Sequence, residues 1–221
     1  MQKKDIKNFS LNELQEEVKN LGVEKYRAAQ LFNLLYKKGM EDFRDMLSLP
    51  AVFRDLLQEN FYISKMGLVN LAKSKDQTEK YLFKLEDGNL IESVLIFSGK
   101  RATECISSQI GCKYNCLFCE SGKKCFTRNL TVSEILNQVL FVKKNIESNL
   151  NNIVFMGIGE PLDNYDNVVK AICILNSKDT FNIGARKITI STCGVIPAIK
   201  RYKSVIGRWS YQFLYILRRI N

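Results

Sequence analysis

The chain has no histidine among its 221 residues, and this absence excludes every mixed cysteine–histidine zinc site. It also lacks any apolar run near the ~18 residues that a membrane-spanning helix needs, so no membrane partner is expected. The N-terminus, Met1-Gln-Lys-Lys-Asp-Ile-Lys7, is charged from the start and has no secretory character, which makes a reducing cytoplasm the expected compartment. Seven cysteines is an odd number, and a disulfide framework is disfavoured on both counts. The paired C-x2-C arrangement of common four-cysteine zinc sites is missing too. No internal repeat or low-complexity linker stands out.

What is present begins with charge. Thirty-three Lys and Arg against twenty-three Asp and Glu leave +10, which favours a polyanionic partner or, more plainly, a basic solvated surface. A hydrophobic content of 46% over 221 residues is ordinary for a globular protein and sufficient for one large or two modest domains.

Four cysteines crowd into Cys105-Ile-Ser-Ser-Gln-Ile-Gly-Cys112-Lys-Tyr-Asn-Cys116-Leu-Phe-Cys119. The last three, spaced C-x3-C-x2-C, let thiolates on one loop converge on a single inorganic centre. A [4Fe–4S] cube held by three cysteines leaves one iron open to another ligand. Zinc is the competing reading, with Cys105 or Cys125 as a fourth donor.

The periodicity divides the chain. Ser10-Leu-Asn-Glu13 is a capping box that opens a helix ending near Leu21-Gly22. A second helix is expected from about Tyr26 to Lys38, with Leu31, Leu34 and Leu35 on one face and Gly39 as its stop, and a third after Pro50. From Phe61 the period becomes two: Lys80–Leu85 and Leu90–Phe97 read as strands joined through Asp87-Gly88, a hairpin signal. Glu92 lies in the second strand, where a solvent-facing role is the plain reading. Beyond the cysteines, Thr131-Val-Ser-Glu134 caps a helix, Asn152–Met156 is a buried strand, Tyr165–Leu175 a helix, Lys187–Ser191 a strand, and a helix follows from Ile196. Such alternation predicts parallel βαβ units. Ligands gather at the carboxyl ends of strands in such folds, so the cysteine loop, Gly157-Ile-Gly159-Glu160-Pro161 and Ser191 are expected on one rim. Gly157 and Gly159 permit close backbone approach, Glu160 can accept from an ammonium group, and Ser191 can serve a ribose or carboxylate.

These motifs, in this order, resemble the radical S-adenosylmethionine RNA methyltransferases of the RlmN type, which methylate C2 of adenine. The resemblance runs from about residue 10 to about residue 204 and includes Lys25-Tyr-Arg-Ala-Ala-Gln-Leu-Phe32, Leu90–Ile96, Cys105–Cys112, Arg128–Glu134, Met156–Leu162 and Ser191–Pro197. It implies an α/β fold, a partial (β/α) radical-SAM barrel of which only the first half is expected here. It divides the chain into a helical RNA-binding-type domain at 1–60, a β-hairpin linker at 61–100, a truncated barrel at 101–204 and a tail at 205–221. It implies that Cys112, Cys116 and Cys119 ligate a [4Fe–4S] cluster, that S-adenosylmethionine chelates the open iron against Gly159, Glu160 and Ser191, that Cys105 resolves the protein–RNA adduct, and that Glu92 accepts a proton. The implied partners are large-subunit ribosomal RNA, transfer RNA for some members, and an electron donor such as flavodoxin or ferredoxin. A monomer is expected.

Departures from the family pattern are Glu120 after the third cluster cysteine, where a small residue is usual, and Cys125 where glycine is usual. The family's methyl-carrying cysteine lies in a C-terminal region without a counterpart here; Cys173 and Cys193 do not match it. From Gly207 the family's Ser-Leu-His strand is replaced by Gly207–Ile216. Joining the last base of each codon to the first two of the next permits that signature to be read across Arg208–Leu217, so 205–221 is expected to be an out-of-frame tail. The chain is then expected to be inactive alone and to leave an unpaired apolar sheet edge. A reading from another class is a non-catalytic RNA-binding module with structural zinc.

Overall fold

The computed structural model describes residues 3–99, 101–114, 116, 119–120, 125–146, 149–205 and 212–215. The N-terminal helices arise where the sequence signals place them. Helix α1 (Leu11–Asn20) starts at Ser10, whose hydroxyl accepts from the Glu13 amide while the Glu13 carboxylate accepts from the Ser10 amide. Helix α2 (Tyr26–Tyr36) buries Leu31, Leu34 and Leu35, and α3 (Ala51–Asn60) follows Pro50. A short strand, β1 (Lys4–Asp5), pairs in parallel with β2 (Phe61–Tyr62) and ties the two ends of this module together. That pairing has no periodic signal in two-residue strands.

The rest is organised by one seven-stranded sheet. Strands β3 (Gly67–Lys73), β4 (Glu79–Lys84) and β5 (Leu90–Ser98) are antiparallel neighbours, and β5 pairs antiparallel with β6 (Arg101–Cys105). The 61–100 hairpin segment therefore extends the same sheet as the barrel strands. From β6 the direction becomes parallel, through β9 (Leu150–Phe155), β10 (Ile188–Thr192) and β11 (Gln212–Tyr215). Helices α4 (Val132–Asn145) and α5 (Tyr165–Asn176) make the two crossovers, and α6 (Ile196–Val205) follows β10. Strand β11 covers the β10 edge expected to be unpaired, with Ser191 opposite Leu214. It lies within the expected out-of-frame tail; residues 206–211 and 216–221 of that tail are outside the described residues.

Between β6 and α4 a small ladder, β7 (Gln109–Ile110) with β8 (Arg128–Asn129), closes the cysteine loop at its base. Arg128 then braces two elements at once: its guanidinium donates to Asp87 in the β4–β5 turn and to Glu134 in the α4 capping box, at 2.6–2.8 Å. A planar guanidinium serves two carboxylates in this way better than an ammonium does.

Alternation sorts the sheet into two faces. Ile91, Ser93, Leu95, Ala102, Glu104, Ile153, Phe155, Ile188 and Ile190 are buried, and the crossover helices cover that side. Glu92, Val94, Thr103, Cys105, Val154, Thr189 and Ser191 alternate with them and are half-buried. Glu104 is the anomaly on the covered face. It is fully buried, one oxygen accepts from the Ser93 hydroxyl at 2.9 Å, and the other has no hydrogen-bond partner.

Burial raises the Glu104 carboxyl from 4.5 to about 8. The folded chain then holds a proton that the unfolded chain releases, so this group's contribution makes stability fall as pH rises from about 4.5 to about 8. We predict that Glu104→Gln flattens that decline. Urea unfolding at pH 5 and pH 8 should show the wild type losing on the order of 2–4 kcal/mol relative to the variant.

Candidate functional site

The site is built where the segment after β6 crosses the segment after β9. Ile106 N–H donates to Val154 O (3.0 Å), Gly157 N–H to Ile106 O (3.1 Å), and the amides of Ser108 and Gln109 both donate to Ile158 O (2.9 and 3.1 Å). Side chains complete the crossing: Ile158 N–H donates to Ser107 Oγ at 3.0 Å, and Glu160 N–H to Gln109 Oε1 at 2.8 Å. The approach is close enough that only glycine fits. A Cβ on Gly157 would lie 2.7 Å from the Ile106 carbonyl, and one on Gly159, whose φ is +102°, would lie 2.4 Å from Gln109 Cβ. Both glycines thus have a demonstrable packing role.

Three buried side chains that the sequence reading passed over hold this crossing. Gln138 of α4 accepts from Ser107 N–H (2.9 Å) and donates to Ser107 O (3.0 Å), replacing a strand partner. Gln109 donates to Asn129 Oδ1 and to Asp163 Oδ2 at 2.8 and 2.9 Å. Asn164 donates to the carbonyls of Ser108 and Leu130, both at 2.8 Å. Asp163 also receives Lys113 of the cysteine loop at 2.6 Å. Isolated Gln and Asn in a helical or loop pattern carry no sequence signal of such contacts.

The expected rim residues converge. Cys112, Cys116 and Cys119 are half-buried free thiols, and Cys119 N–H donates to Cys116 O at 3.0 Å. Burial raises the Cys112 thiol, and Cys116, Glu160 and Cys119 push it further, which places all three thiols and the carboxylate in one electrostatic neighbourhood. Glu160 is 4% exposed; one oxygen accepts from Leu162 N–H (2.9 Å) and the other from Cys193 N–H (2.7 Å), so it bridges the loops after β9 and β10. Ser191 is on the half-buried face at the end of β10. Among the described residues no three Cys, Asp or Glu groups are already set around one metal-sized point. The donor chemistry still fits an iron–sulfur cluster: three half-buried free thiols on one loop, beside the closely packed glycine crossing. Glu120 and Cys125 are both exposed.

Cys105 and Glu92 share the open face on adjacent strands, since Val94 pairs with Cys105 and Glu92 is two residues along from Val94. Burial, with a smaller push from Glu104, raises the Cys105 thiol to about 11. Glu92 bonds Lys80 of β4 at 2.9 Å, a partner not anticipated from the sequence.

Residues 106–208 match the Radical SAM superfamily, and residues 4–63 match the ribosomal RNA large subunit methyltransferase N-terminal domain. The dual-specificity RNA methyltransferase RlmN of Geotalea uraniireducens (strain Rf4) is 48% identical over 197 residues. The chain belongs to the RlmN-type radical SAM family. A probable RlmN of Thermotoga maritima is 46% identical over 193 residues, covering 87% of this chain and 56% of that protein. The crystal structure of a radical SAM methyltransferase from Sphaerobacter thermophilus superposes with a TM-score of 0.84 at 35% identity, covering 95% of this chain and 62% of that one. The alignment with the Geotalea protein takes in 89% of this chain and 57% of that relative, so the chain spans a little over half the relative's length.

One feature of this RlmN-type chain concerns a residue outside the expected site. Cys193 stands beside Glu160, and burial followed by Glu160, Cys116 and Cys112 raises its thiol to about 12. Its backbone amide holds the carboxylate, and that negative group disfavours the thiolate and keeps the thiol protonated.

Gly159→Ala should destabilise the fold by about 2–4 kcal/mol through its left-handed φ and the Gln109 clash. Denaturant titration reads this directly. An unchanged midpoint would mean that the glycine matters only to a ligand.

Proposed function

We propose that the chain carries the cluster- and cofactor-binding machinery of an RNA adenine-C2 methyltransferase. The observation that carries this is the crossing of residues 106–109 with 157–160, which brings the C-x3-C-x2-C loop beside Glu160 and leaves Cys105 and Glu92 on the adjoining face. Cys112, Cys116 and Cys119 would hold a [4Fe–4S] cluster. Gly159, Glu160 and Ser191 would hold S-adenosylmethionine. The pair supplies one-electron cleavage of a sulfonium, which lets an electron-poor aromatic carbon be methylated where direct sulfonium transfer is unfavourable.

The chain's own residues divide the remaining work. Glu160 is fixed by two backbone amides, so its remaining lone pairs meet a ligand ammonium with little reorganisation. Cys105, with its thiol raised to about 11, is protonated at neutral pH and must lose that proton before its sulfur can act in resolving the adduct. Glu92, anchored by Lys80 on the neighbouring strand, accepts a proton at its carboxylate. The substrates are large-subunit ribosomal RNA and transfer RNA, met through a helical domain at 1–60. We assign the chain to the cytoplasm as a monomer, with flavodoxin or ferredoxin as the electron donor. Among the described residues no helix is long and apolar enough to cross a membrane.

Anaerobic reconstitution with iron and sulfide should give a brown protein with about four irons per chain, and Cys116→Ser should lose them. Stoichiometric zinc in a colourless protein would instead support the non-catalytic module. On the reconstituted chain, Glu160→Gln should weaken S-adenosylmethionine binding about tenfold, the loss of one hydrogen bond to a charged group, as read by equilibrium dialysis.

A further inference from the structure

Away from the thiol loop, the seam between the helical module and α4 encloses a cavity of about 460 Å³. Six lysines line it, Lys7, Lys37, Lys38, Lys65, Lys143 and Lys144, against one acid, Glu41. The imbalance is built in. Lys7 is 4% exposed, its ammonium donates to Asn137 Oδ1, and its carbonyl accepts from the buried Tyr36 hydroxyl at 3.1 Å. Lys143 reaches the carbonyls of Tyr36 and Lys37 at the C-terminal end of α2, both at 3.4 Å. Glu41 is shared between Lys144 at 2.9 Å and Lys65 at 3.9 Å. Lys7 is the one buried ammonium of the six, with the Asp5 and Glu41 carboxylates acting on it, and a buried charge without a full counter-charge is costly; the other five lysines are exposed or half-buried around it.

Burial lowers Lys7 to about 8, against the pull of Asp5 and Glu41, and burial with Lys37 nearby also lowers Lys143. An anion would relieve both. The volume falls within the range of small-ligand sites, and Met40, Met66 and Phe141 give part of the wall an apolar character suited to a sugar or base. The lining residues of α4 run from Asn137 to Asn145, whereas the thiol loop joins the start of that helix. The twelve residues from Val132 to Lys143 advance about 17 Å along α4, with the cavity lining beginning at Asn137. The cavity is thus a second contact, separate from the cluster rim. Duplex nucleic acid carries on the order of ten phosphates over such a length.

We propose that this cavity binds a backbone phosphate of an RNA strand, a second anchor for RNA presented to the rim. The inference rests on the RNA substrate proposed above, and the chain's +10 charge favours a polyanion.

The test is fluorescence anisotropy of a labelled RNA hairpin with the full reconstituted chain over a salt series. Lys37→Glu/Lys38→Glu changes two exposed lysines and should keep the fold; Lys7→Met removes the buried ammonium. Each variant should bind at least tenfold more weakly, with a log–log salt slope reduced by about one per lost phosphate contact. The same charge change at Lys19 and Lys75 should move affinity by less than twofold. Wild-type binding that the cavity variants leave intact, or that the control weakens equally, overturns the anchor while the RNA substrate stands. No RNA binding by the wild type overturns both. Adenosine monophosphate displacing the hairpin at comparable concentration would show that the cavity takes a free nucleotide, and the RNA assignment would fall.

Discussion

Everything at the rim depends on one crossing of backbone, residues 106–109 over residues 157–160. Two loops can share a site only if they meet without side chains between them, and here the meeting is closer than any Cβ allows. Gly157 and Gly159 remove the obstacle, and the hydrogen bonds that follow are made by main chain on both sides. The segment that leads into the thiol loop is thereby tied to both β6 and β9. Buried polar groups would be a liability in such a place if unmatched. Gln138, Gln109 and Asn164 match them, each bridging backbone groups that no strand can reach.

The two faces of the sheet receive opposite electrostatic treatment. On the helix-covered face, Glu104 is denied water and a second partner, so it is held neutral and acts as a polar plug. One residue on, Cys105 faces the open side, and there too burial favours the uncharged thiol. At the rim, burial and the neighbouring Glu160 raise the Cys112 and Cys193 thiols. A cationic inorganic centre reverses that preference, since metal binding deprotonates thiols outright. The negative groups that disfavour a Cys112 thiolate alone favour positive charge at the same place.

Much of this was legible in the sequence, for identifiable reasons. The capping boxes at Ser10 and Thr131 state helix starts in four residues, and both form with side chains reciprocally bonded. Period-two runs around Asp87-Gly88 and the strand-to-glycine transition at Met156-Gly157 likewise carry their geometry locally. The rule for parallel strands puts the segments after β6, β9 and β10 at one end of the sheet, and the Cys193 amide after β10 does reach Glu160 after β9. What was not legible is long-range. The β1–β2 pairing joins residues 4–5 to 61–62 through two-residue strands. The Lys80–Glu92 pair depends on register across a hairpin, and the seam cavity gathers lysines from four segments scattered between residues 7 and 144. The glycines were read as permitting close backbone approach, and the partner that approaches is residues 106–109 of the chain itself.

The helical module deserves to be seen as part of the barrel's support rather than as an appendage. Asn137 on α4 accepts from Lys7 and donates to the Ser64 hydroxyl at 3.1 Å, while the Asn8 side chain accepts from Ser133 N–H at the α4 N-terminus at 3.0 Å. Lys170 of α5 donates to Glu13 of the α1 capping box at 2.8 Å. Helices α4 and α5 also supply Gln138 and, just before α5, Asn164 to the crossing beneath the rim. A ligand that changed how α4 sits against the seam would therefore act on the same helix that pins Ser107. One helix thus carries buried polar contacts both at the seam, through Asn137, and at the crossing, through Gln138, the very next residue.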